Sequence, residues 1–243
     1  MDLDGKGVIV TGGSRGLGAE LGRVLAARGA RVALVARELG AIEEVVGDIR
    51  ARGGDAHAIA ADVADKHATH AVAASAAALV GPVDVLIHNA STLGPTPLKL
   101  LLDTECEDLA RVLDVNLVGP FRLTKAIAGS MALRRTGLVV HVTSDASVEA
   151  YPRWGAYSVS KAALDHLGRV LAAELVDFGV RVLSIDPGEM RTRMHRQALP
   201  DADESMLESP AVVAERIARV IASADRVPSG SRLRAADWVE VAP

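Results

Sequence analysis

The sequence predicts a doubly wound α/β fold, with a mostly or wholly parallel sheet of about seven strands flanked by helices. Short β-branched runs alternate along the chain with longer segments of helical periodicity. Most of the strand-like runs are apolar throughout, as expected for strands buried on both faces of a parallel sheet. A length of 243 residues, of which 49% are hydrophobic, fits one α/β domain, so we expect residues 1–243 to form a single domain.

The predicted elements follow one another in strict alternation. The strands are Val8–Val10, Arg31–Val35, Asp55–Ala60, Val83–Ile87, Gly137–Val142 and Val180–Ile185, with a short last strand at Ser231–Arg234. The helices are Gly16–Arg28, Leu39–Arg52, Asp65–Val80, Glu105–Ala132 and Gly155–Phe178, and a further helix should begin at Pro210 with Ser209 as its N-cap. Ligands of such sheets bind beyond the carboxyl ends of the strands, so the residues after each strand are the candidates for a functional site.

Composition excludes several classes of function. The net charge of −4 gives no reason to expect a nucleic acid partner. The single cysteine, Cys106, cannot form an internal disulfide, which fits a reducing cytosol and a cytoplasmic protein. The polar N-terminus is unlike a signal peptide, and no apolar run is long enough to span a membrane. His67 and His70 have no further ligand beside them, so no metal site is predicted.

A glycine-rich turn follows the first strand. Its residues are Thr11, Gly12, Gly13, Ser14, Arg15, Gly16, Leu17 and Gly18. Glycines in this position allow a tight turn and let the backbone approach a pyrophosphate at the N-terminus of the next helix. An ordinary strand–helix turn is the alternative, but the place of this turn after the first strand favours a dinucleotide site.

Two arginines bear on which dinucleotide is bound. Arg37 ends the second strand about twenty residues past the glycines, and Arg15 lies within the glycine turn. An acid at the end of this strand accepts from the ribose hydroxyl of NAD, whereas a basic group accommodates the 2′-phosphate of NADP. Either arginine alone is equally compatible with a solvated surface residue. Together they predict NADP(H), preferred over NAD(H).

A second motif carries groups suited to proton transfer. Tyr157 and Lys161 are four residues apart, which places both on one face of a helix. A nearby ammonium favours the tyrosinate, so we expect Lys161 to lower the pKa of Tyr157 and allow proton exchange near neutral pH. Thirteen residues upstream, Ser144 follows the fifth strand, where its hydroxyl can stabilise charge on a substrate oxygen.

These motifs resemble the single-domain branch of the short-chain dehydrogenase/reductase family, in the spacing Thr-Gly-x-x-x-Gly-x-Gly and Tyr-x-x-x-Lys. The resemblance extends from Lys6 to about Thr192 and implies a Rossmann fold enzyme that moves a hydride between NADP(H) and a small-molecule carbonyl or alcohol. It implies that Ser144 binds the substrate oxygen and that Tyr157 is the general acid/base. It also implies that Lys161 anchors the ribose and that Asn116 holds a water in the proton relay.

The resemblance implies further cofactor contacts after the other strands. Asp62, followed by Val63, corresponds to the family's adenine-binding acid, although a helix N-cap is the alternative for Asp62. The remaining residues that it assigns to the cofactor are Asn89, Ala90, Pro187, Gly188 and Thr192. His88 and Ser91 depart from the Asn-Asn-Ala-Gly of relatives, and His88 is interpreted as a structural histidine.

Two groups of residues are candidates for contact with the substrate. Tyr151 and Trp154 lie beside Tyr157 in sequence and either line the substrate pocket or pack the loop. The segment 189–209, with Met190 and Met194, resembles the family's substrate lid.

The resemblance also implies a homodimer or homotetramer, which we expect to be built on the helices that contain Asn116 and Tyr157. Residues 235–243 lack the glycine-rich ending of relatives that reduce 3-oxoacyl thioesters, which argues against that activity and against assuming a tetramer. The alternative to an enzyme is a nucleotide-sensing interaction protein on the same fold.

Overall fold

A computed structural model describes residues 1–238 and confirms the predicted fold class. Its sheet has seven parallel strands in the order β3-β2-β1-β4-β5-β6-β7. The strands are β1 Gly7–Thr11, β2 Arg31–Ala36, β3 Asp55–Ala60, β4 Val83–His88, β5 Gly137–Val142, β6 Val180–Asp186 and β7 Arg232–Arg234. The last residues of the chain, 239–243, include much of the unusual C-terminal sequence and lie outside the described residues.

Helices cover both faces of the sheet. They are α1 Gly16–Ala27, α2 Leu39–Ala51, α3 Thr69–Val80, α4 Cys106–Leu113, α5 Gly119–Arg134, α6 Gly155–Leu175, α7 Arg193–Ala198 and α8 Pro210–Ala222. Apolar side chains of α1, α2 and α8 pack on one face, and those of α3, α5 and α6 pack on the other. Within residues 1–238, no helix is both long enough and apolar enough to cross a membrane.

Two predicted helices differ from those observed. The helix expected from Asp65 begins at Thr69, because Asp62 and Asp65 accept backbone N–H groups two residues ahead and form turns instead. The helix expected over 105–132 is divided into α4 and α5 by a π-helical turn at Asp114–Val118. Such turns frequently mark functional sites, and this one contains the predicted site residue Asn116.

A row of polar residues crosses the sheet beneath α6. His88, His141, Ser184 and Arg232 are direct register partners on β4, β5, β6 and β7. Gly168 of α6 leaves room for this row, since a Cβ there would lie 3.1 Å from His141 Nδ1 and 3.2 Å from Ser184 Oγ. The predicted structural role of His88 agrees with its burial and its 2.8 Å hydrogen bond between Nε2 and Thr124 Oγ1.

Candidate active site

The carboxyl ends of the strands border one large cleft of about 670 Å³. Most of the residues predicted to bind a cofactor line it, namely Gly12, Ser14, Arg15, Gly16, Leu17, Gly18, Arg37, Asp62, Val63, Asn89, Ala90, Tyr157, Lys161, Pro187 and Thr192. Thr11 and Gly188 do not belong to this lining. Thr11 is buried just beneath it, and Gly188 turns the chain after β6 with a φ of +73°.

The glycine turn can adopt its shape only with glycine at particular positions. Gly12 and Gly16 have φ values of +71° and +54°. A Cβ on Gly18 would lie 2.2 Å from the backbone oxygen of Gly12 and 2.5 Å from Asn89 Nδ2. The turn leads into α1, whose first N–H groups donate no hydrogen bond to the N-cap side chain. This N-terminus therefore fits the pyrophosphate of a dinucleotide.

Hydrogen bonds from the end of β4 hold the glycine turn in place. Asn89 Nδ2 donates to the backbone oxygens of Thr11, at 2.9 Å, and Gly12, at 3.3 Å. Thr11 Oγ1 in turn accepts from the backbone N–H groups of Asn89 and Ala90, both at 3.1 Å. Asn89 thus holds the ends of β1 and β4 together, and the buried Thr11 stabilises the same contact from beneath the cleft.

The rim of the cleft near β2 carries charges of both signs. Arg15 and Arg37 both line it, and so does Glu38, which sequence analysis did not single out. Arg15 Nη2 lies 3.4 Å from Glu38 Oε2, and the two side chains are 47% and 66% exposed. An exposed pair of this kind contributes about 0–1 kcal/mol, so Arg15 can exchange Glu38 for a phosphate at little cost.

Asp62 follows the neighbouring strand β3, also lines the cleft and is held by an arginine. Its Oδ2 accepts from Arg111 Nη2 at 2.7 Å, and its Oδ1 accepts from the backbone N–H of Ala64 at 3.0 Å. Partial burial opposes ionisation, but these hydrogen bonds and the positive charge of Arg111 outweigh it and lower the pKa of Asp62. Because α3 begins only at Thr69, Asp62 is not the cap of a helix starting at residue 65.

Lys161 is buried at the floor of the cleft, only 2% exposed. Its Nζ donates to the backbone oxygen of Val142 at 2.8 Å and lies 5.5 Å from the centre of the Tyr157 ring. Burial lowers the pKa of Lys161 to about 8, although the carboxylate of Asp165 acts in the opposite direction. The ammonium therefore remains largely protonated at neutral pH.

The prediction that Lys161 lowers the pKa of Tyr157 below its usual value is wrong. Burial raises this pKa to about 12. Hydrogen bonding to Ser144 and Ser91 favours the tyrosinate, while the carboxylates of Asp145 and Asp186 disfavour it, and burial dominates. The phenol is consequently a proton donor at neutral pH in the structure.

The turn after β5 adds an acid to the predicted constellation. Ser144 Oγ donates to Asp145 Oδ1 at 2.8 Å, and the Tyr151 hydroxyl donates to Asp145 Oδ2 at 3.0 Å. To bind a substrate oxygen, Ser144 would have to turn its proton away from Asp145. Asp145 directly follows Ser144 in sequence, but nothing in that spacing revealed the contact with Tyr151.

Asn116 is fully buried, and its amide is engaged by protein groups. Its Oδ1 accepts from the backbone N–H of Thr92 at 2.8 Å and from Ser91 Oγ at 3.2 Å. Its Nδ2 donates to the backbone oxygen of Thr92 and to Ser160 Oγ, both at 2.9 Å. Asn116 therefore joins the loop after β4 to α6, and its role in holding a relay water stays a prediction.

The residues predicted to contact substrate occupy different places. Trp154 packs edge-on against Tyr157, with 5.8 Å between ring centres, and lines a small recess beside it. Met190 and Met194 line the large cleft. The exposed Tyr151 lies outside the lining of both cavities, and its hydroxyl is bound to Asp145.

The segment 189–209 borders the cleft and contains a helix that was not predicted. Thr192 caps this helix, α7, by accepting from the backbone N–H of His195 at 3.2 Å. The two ends of the segment meet where Met190 bridges Glu208 and the N–H of Arg191 donates to the oxygen of Glu208 at 2.9 Å. These contacts close the segment into a loop, and several of its residues line the cleft.

Known proteins resemble this chain over most of its length. A family model described as short chain dehydrogenase matches residues 6–203. A short chain dehydrogenase of Pseudocercospora fijiensis is 38% identical over 197 residues, which cover 79% of this chain and 62% of that relative. An uncharacterized oxidoreductase of Thermotoga maritima is 38% identical over 190 residues, which cover 77% of this chain and 73% of the relative. The chain thus spans less than two thirds of the first of these relatives.

Solved structures share the fold at similar identity. A 7α-hydroxysteroid dehydrogenase, complexed with NADH and 7-oxo glycochenodeoxycholic acid, has a TM-score of 0.89 at 30% identity and matches 98% of this chain and 96% of its own. A metagenomic short-chain oxidoreductase in complex with NADP has a TM-score of 0.82 at 31% identity, over 96% of this chain and 99% of its own. One of these proteins holds NADH and the other NADP, so the choice between them must be argued from residues of this chain.

Replacing Gly18 tests the close approach of the glycine turn to β4. We expect Gly18→Ala to weaken NADPH binding by more than about tenfold, because the Cβ forces the turn away from Asn89. Gly47→Ala is the matched control, since Gly47 lies on α2 with no atom within 4 Å of the added Cβ. Dissociation constants from NADPH fluorescence titration check this, and equal affinities in both variants would contradict it.

Proposed function

Because the chain belongs to the short-chain dehydrogenase family, we propose that it is an NADP(H)-dependent oxidoreductase acting on a carbonyl or alcohol substrate. The observation that carries this proposal is the buried pair of Tyr157 and Lys161 beside Ser144, at the floor of the cleft. A buried phenol with an ammonium next to it serves proton transfer, which the sensing alternative does not need.

The residues divide the chemistry between them. When bound, NADP(H) supplies or accepts the hydride. In the reductive direction, Tyr157 donates its proton to the carbonyl oxygen, and the Ser144 hydroxyl stabilises charge on the same atom. A pKa of about 12 keeps Tyr157 protonated before the reaction. Lys161 binds the ribose and compensates negative charge on the phenol.

The charges around the cleft support NADP as the cofactor. Its lining includes the exposed arginines Arg15, Arg37, Arg111, Arg191 and Arg193. Arg111 is already paired with Asp62, and Arg15 has a weak partner in Glu38. Within residues 1–238, the remaining arginines of this group, Arg37, Arg191 and Arg193, form no ion pair. Several guanidinium groups fit a cofactor that bears a pyrophosphate and a 2′-phosphate.

We further propose that residues 189–209 close over a small-molecule substrate, with Met190 and Met194 facing it. The single cysteine supports a cytoplasmic location, and the whole of 1–243 is proposed to act as one domain.

Replacing the phenol tests the enzymatic role directly. We expect Tyr157→Phe to abolish turnover and to leave the dissociation constant of NADPH within about threefold of the parent, because only the proton-transfer group is lost. NADPH oxidation is followed with a panel of ketones, aldehydes, quinones, acyl thioesters and pterins. Equal kcat values in variant and parent would refute the mechanism, and NADPH binding without turnover of any substrate would favour the sensing alternative.

Cofactor preference is tested with dissociation constants for NADPH and NADH. A net gain of about 2–3 kcal/mol from Arg15 and Arg37 favours NADPH by roughly 30-fold to 150-fold. We expect Arg37→Asp to erase or reverse this preference and Arg15→Ala to weaken NADPH binding alone. Glu38→Gln should strengthen NADPH binding slightly by releasing Arg15. Equal affinity of the parent for both cofactors would show that the arginines are surface residues.

Exposed apolar side chains on α5 and α6 support a homodimer or homotetramer. Phe121, Val159 and Val170 are 43%, 48% and 40% exposed on these helices. We expect light scattering at micromolar concentration to give at least twice the 25.3 kDa of one chain and Val170→Asp to lower that mass. A parent mass near 25.3 kDa would overturn the proposal.

A further inference from the structure

Arg232 of the last strand forms hydrogen bonds with residues of several elements next to the candidate active site. Arg232 Nη2 donates to the backbone oxygen of Ser144 at 2.8 Å and to Asp186 Oδ2 at 3.0 Å. Its Nε donates to Asp165 Oδ2 at 3.1 Å and to Ser147 Oγ at 3.3 Å. The guanidinium thus lies between two buried carboxylates and the turn that carries Ser144.

These contacts connect four elements. Arg232 belongs to β7, Asp186 ends β6, Asp165 lies on α6, and Ser144 begins the turn after β5. Neither Arg232 nor Asp165 lines the cleft. A buried ion pair adds little net stability against an apolar replacement, so this pair is better explained by a role in specifying geometry or charge.

Asp165 also faces the buried Lys161. The two residues are one turn apart on α6 and therefore lie on the same face. The Asp165 carboxylate raises the pKa of Lys161 against the effect of burial. Two histidines face Lys161 from β4 and β5, but burial holds the pKa of His88 well below its usual range and lowers that of His141 to about 4. Both rings are neutral at pH 7, which leaves Asp165 as the compensating charge.

We propose that Arg232 and Asp165 are positioning residues for this site: Arg232 fixes the Ser144 turn, and Asp165 supplies the negative charge that balances Lys161. The effect of these two residues on turnover rests on the proposed function. The contacts of Arg232 and the charge balance at Lys161 are independent of that function.

The proposal predicts that replacing Asp165 and replacing Arg232 shift the pKa of Lys161 in opposite directions. Asp165→Asn removes the compensating charge, so the pKa of Lys161 should fall. Arg232→Met removes the cation paired with Asp165, so this carboxylate acts on Lys161 with less compensation and the pKa of Lys161 should rise. The double variant removes one charge of each sign and should return the pKa towards that of the parent. A purely structural role predicts no such reversal of sign.

The test is an NMR titration of the lysine side chains and needs no substrate. The chain has five lysines, Lys6, Lys66, Lys99, Lys125 and Lys161, so protein labelled with 13C-lysine gives few Cε resonances. Lys161→Arg identifies its resonance by loss. We expect the Lys161 midpoint to move by at least about half a pH unit, downwards in Asp165→Asn and upwards in Arg232→Met. Arg234→Met is the matched control, because Arg234 lies on the same strand with an exposed side chain, and it should leave the midpoint unchanged.

A Lys161 midpoint unchanged in folded Asp165→Asn and Arg232→Met, or moved in the same direction by both, would overturn the proposal. Circular dichroism verifies the fold of each variant. If Arg232→Met does not fold, Arg232→Gln replaces it, because glutamine also removes the charge and the midpoint should again rise. Arg232→Lys keeps the charge but not the forked contacts, so its midpoint should stay near that of the parent.

With a reducible carbonyl, Arg232→Lys should lower kcat and leave the KM for NADPH within about twofold. An unchanged kcat would refute the positioning of Ser144. Failure to find any substrate would count against the proposed function. The NMR titration of Lys161 would still test the charge balance, because it needs no substrate.

Discussion

The close approach of the glycine turn to the end of β4 is the constraint on which the cleft depends. Gly18 lies so near the oxygen of Gly12 and the amide of Asn89 that no side chain fits between them. The same amide binds the backbone of Thr11 and Gly12, which fixes where β1 ends and α1 begins. The N-terminus of α1 can face a pyrophosphate only while these strand ends remain together.

Electrostatic balance varies with depth in the site. Exposed arginines surround the mouth, where solvent screens them and a phosphate can displace their partners. At the floor, Lys161, Asp165, Asp186 and Arg232 are screened much less, and each charge is compensated by a neighbour within the protein. Burial makes Tyr157 a firmly protonated phenol in this setting, a state suited to donating a proton when a carbonyl oxygen gains charge.

Short sequence patterns predicted much of the fold and of the candidate site, because strands, glycine turns and helix faces are each encoded over a few residues. The apolar runs placed six strands well, and the spacing of Tyr157 and Lys161 placed both on α6. The pKa of Tyr157 was misjudged because burial depends on packing that spacing does not reveal. Asp145 and Glu38 follow recognised residues, but the partner of Glu38 is set by a tertiary contact with Arg15, and the partners of Asp145 are set by the conformation of the turn after β5. Arg232 had no local signal at all, since its partners come from distant segments.

The position of Arg232 has a consequence for how the chain is made. The guanidinium that holds the oxygen of Ser144 lies 88 residues further along the sequence. While the N-terminal strands assemble on the ribosome, the half of the sheet that carries the glycine turn can already exist, but the turn that carries Ser144 lacks its anchor until β7 emerges and docks on β6. The glycine turn and the residues that follow β2 to β4 should therefore be in place early in synthesis, whereas the turn that carries Ser144 is anchored only after the last strand has been added.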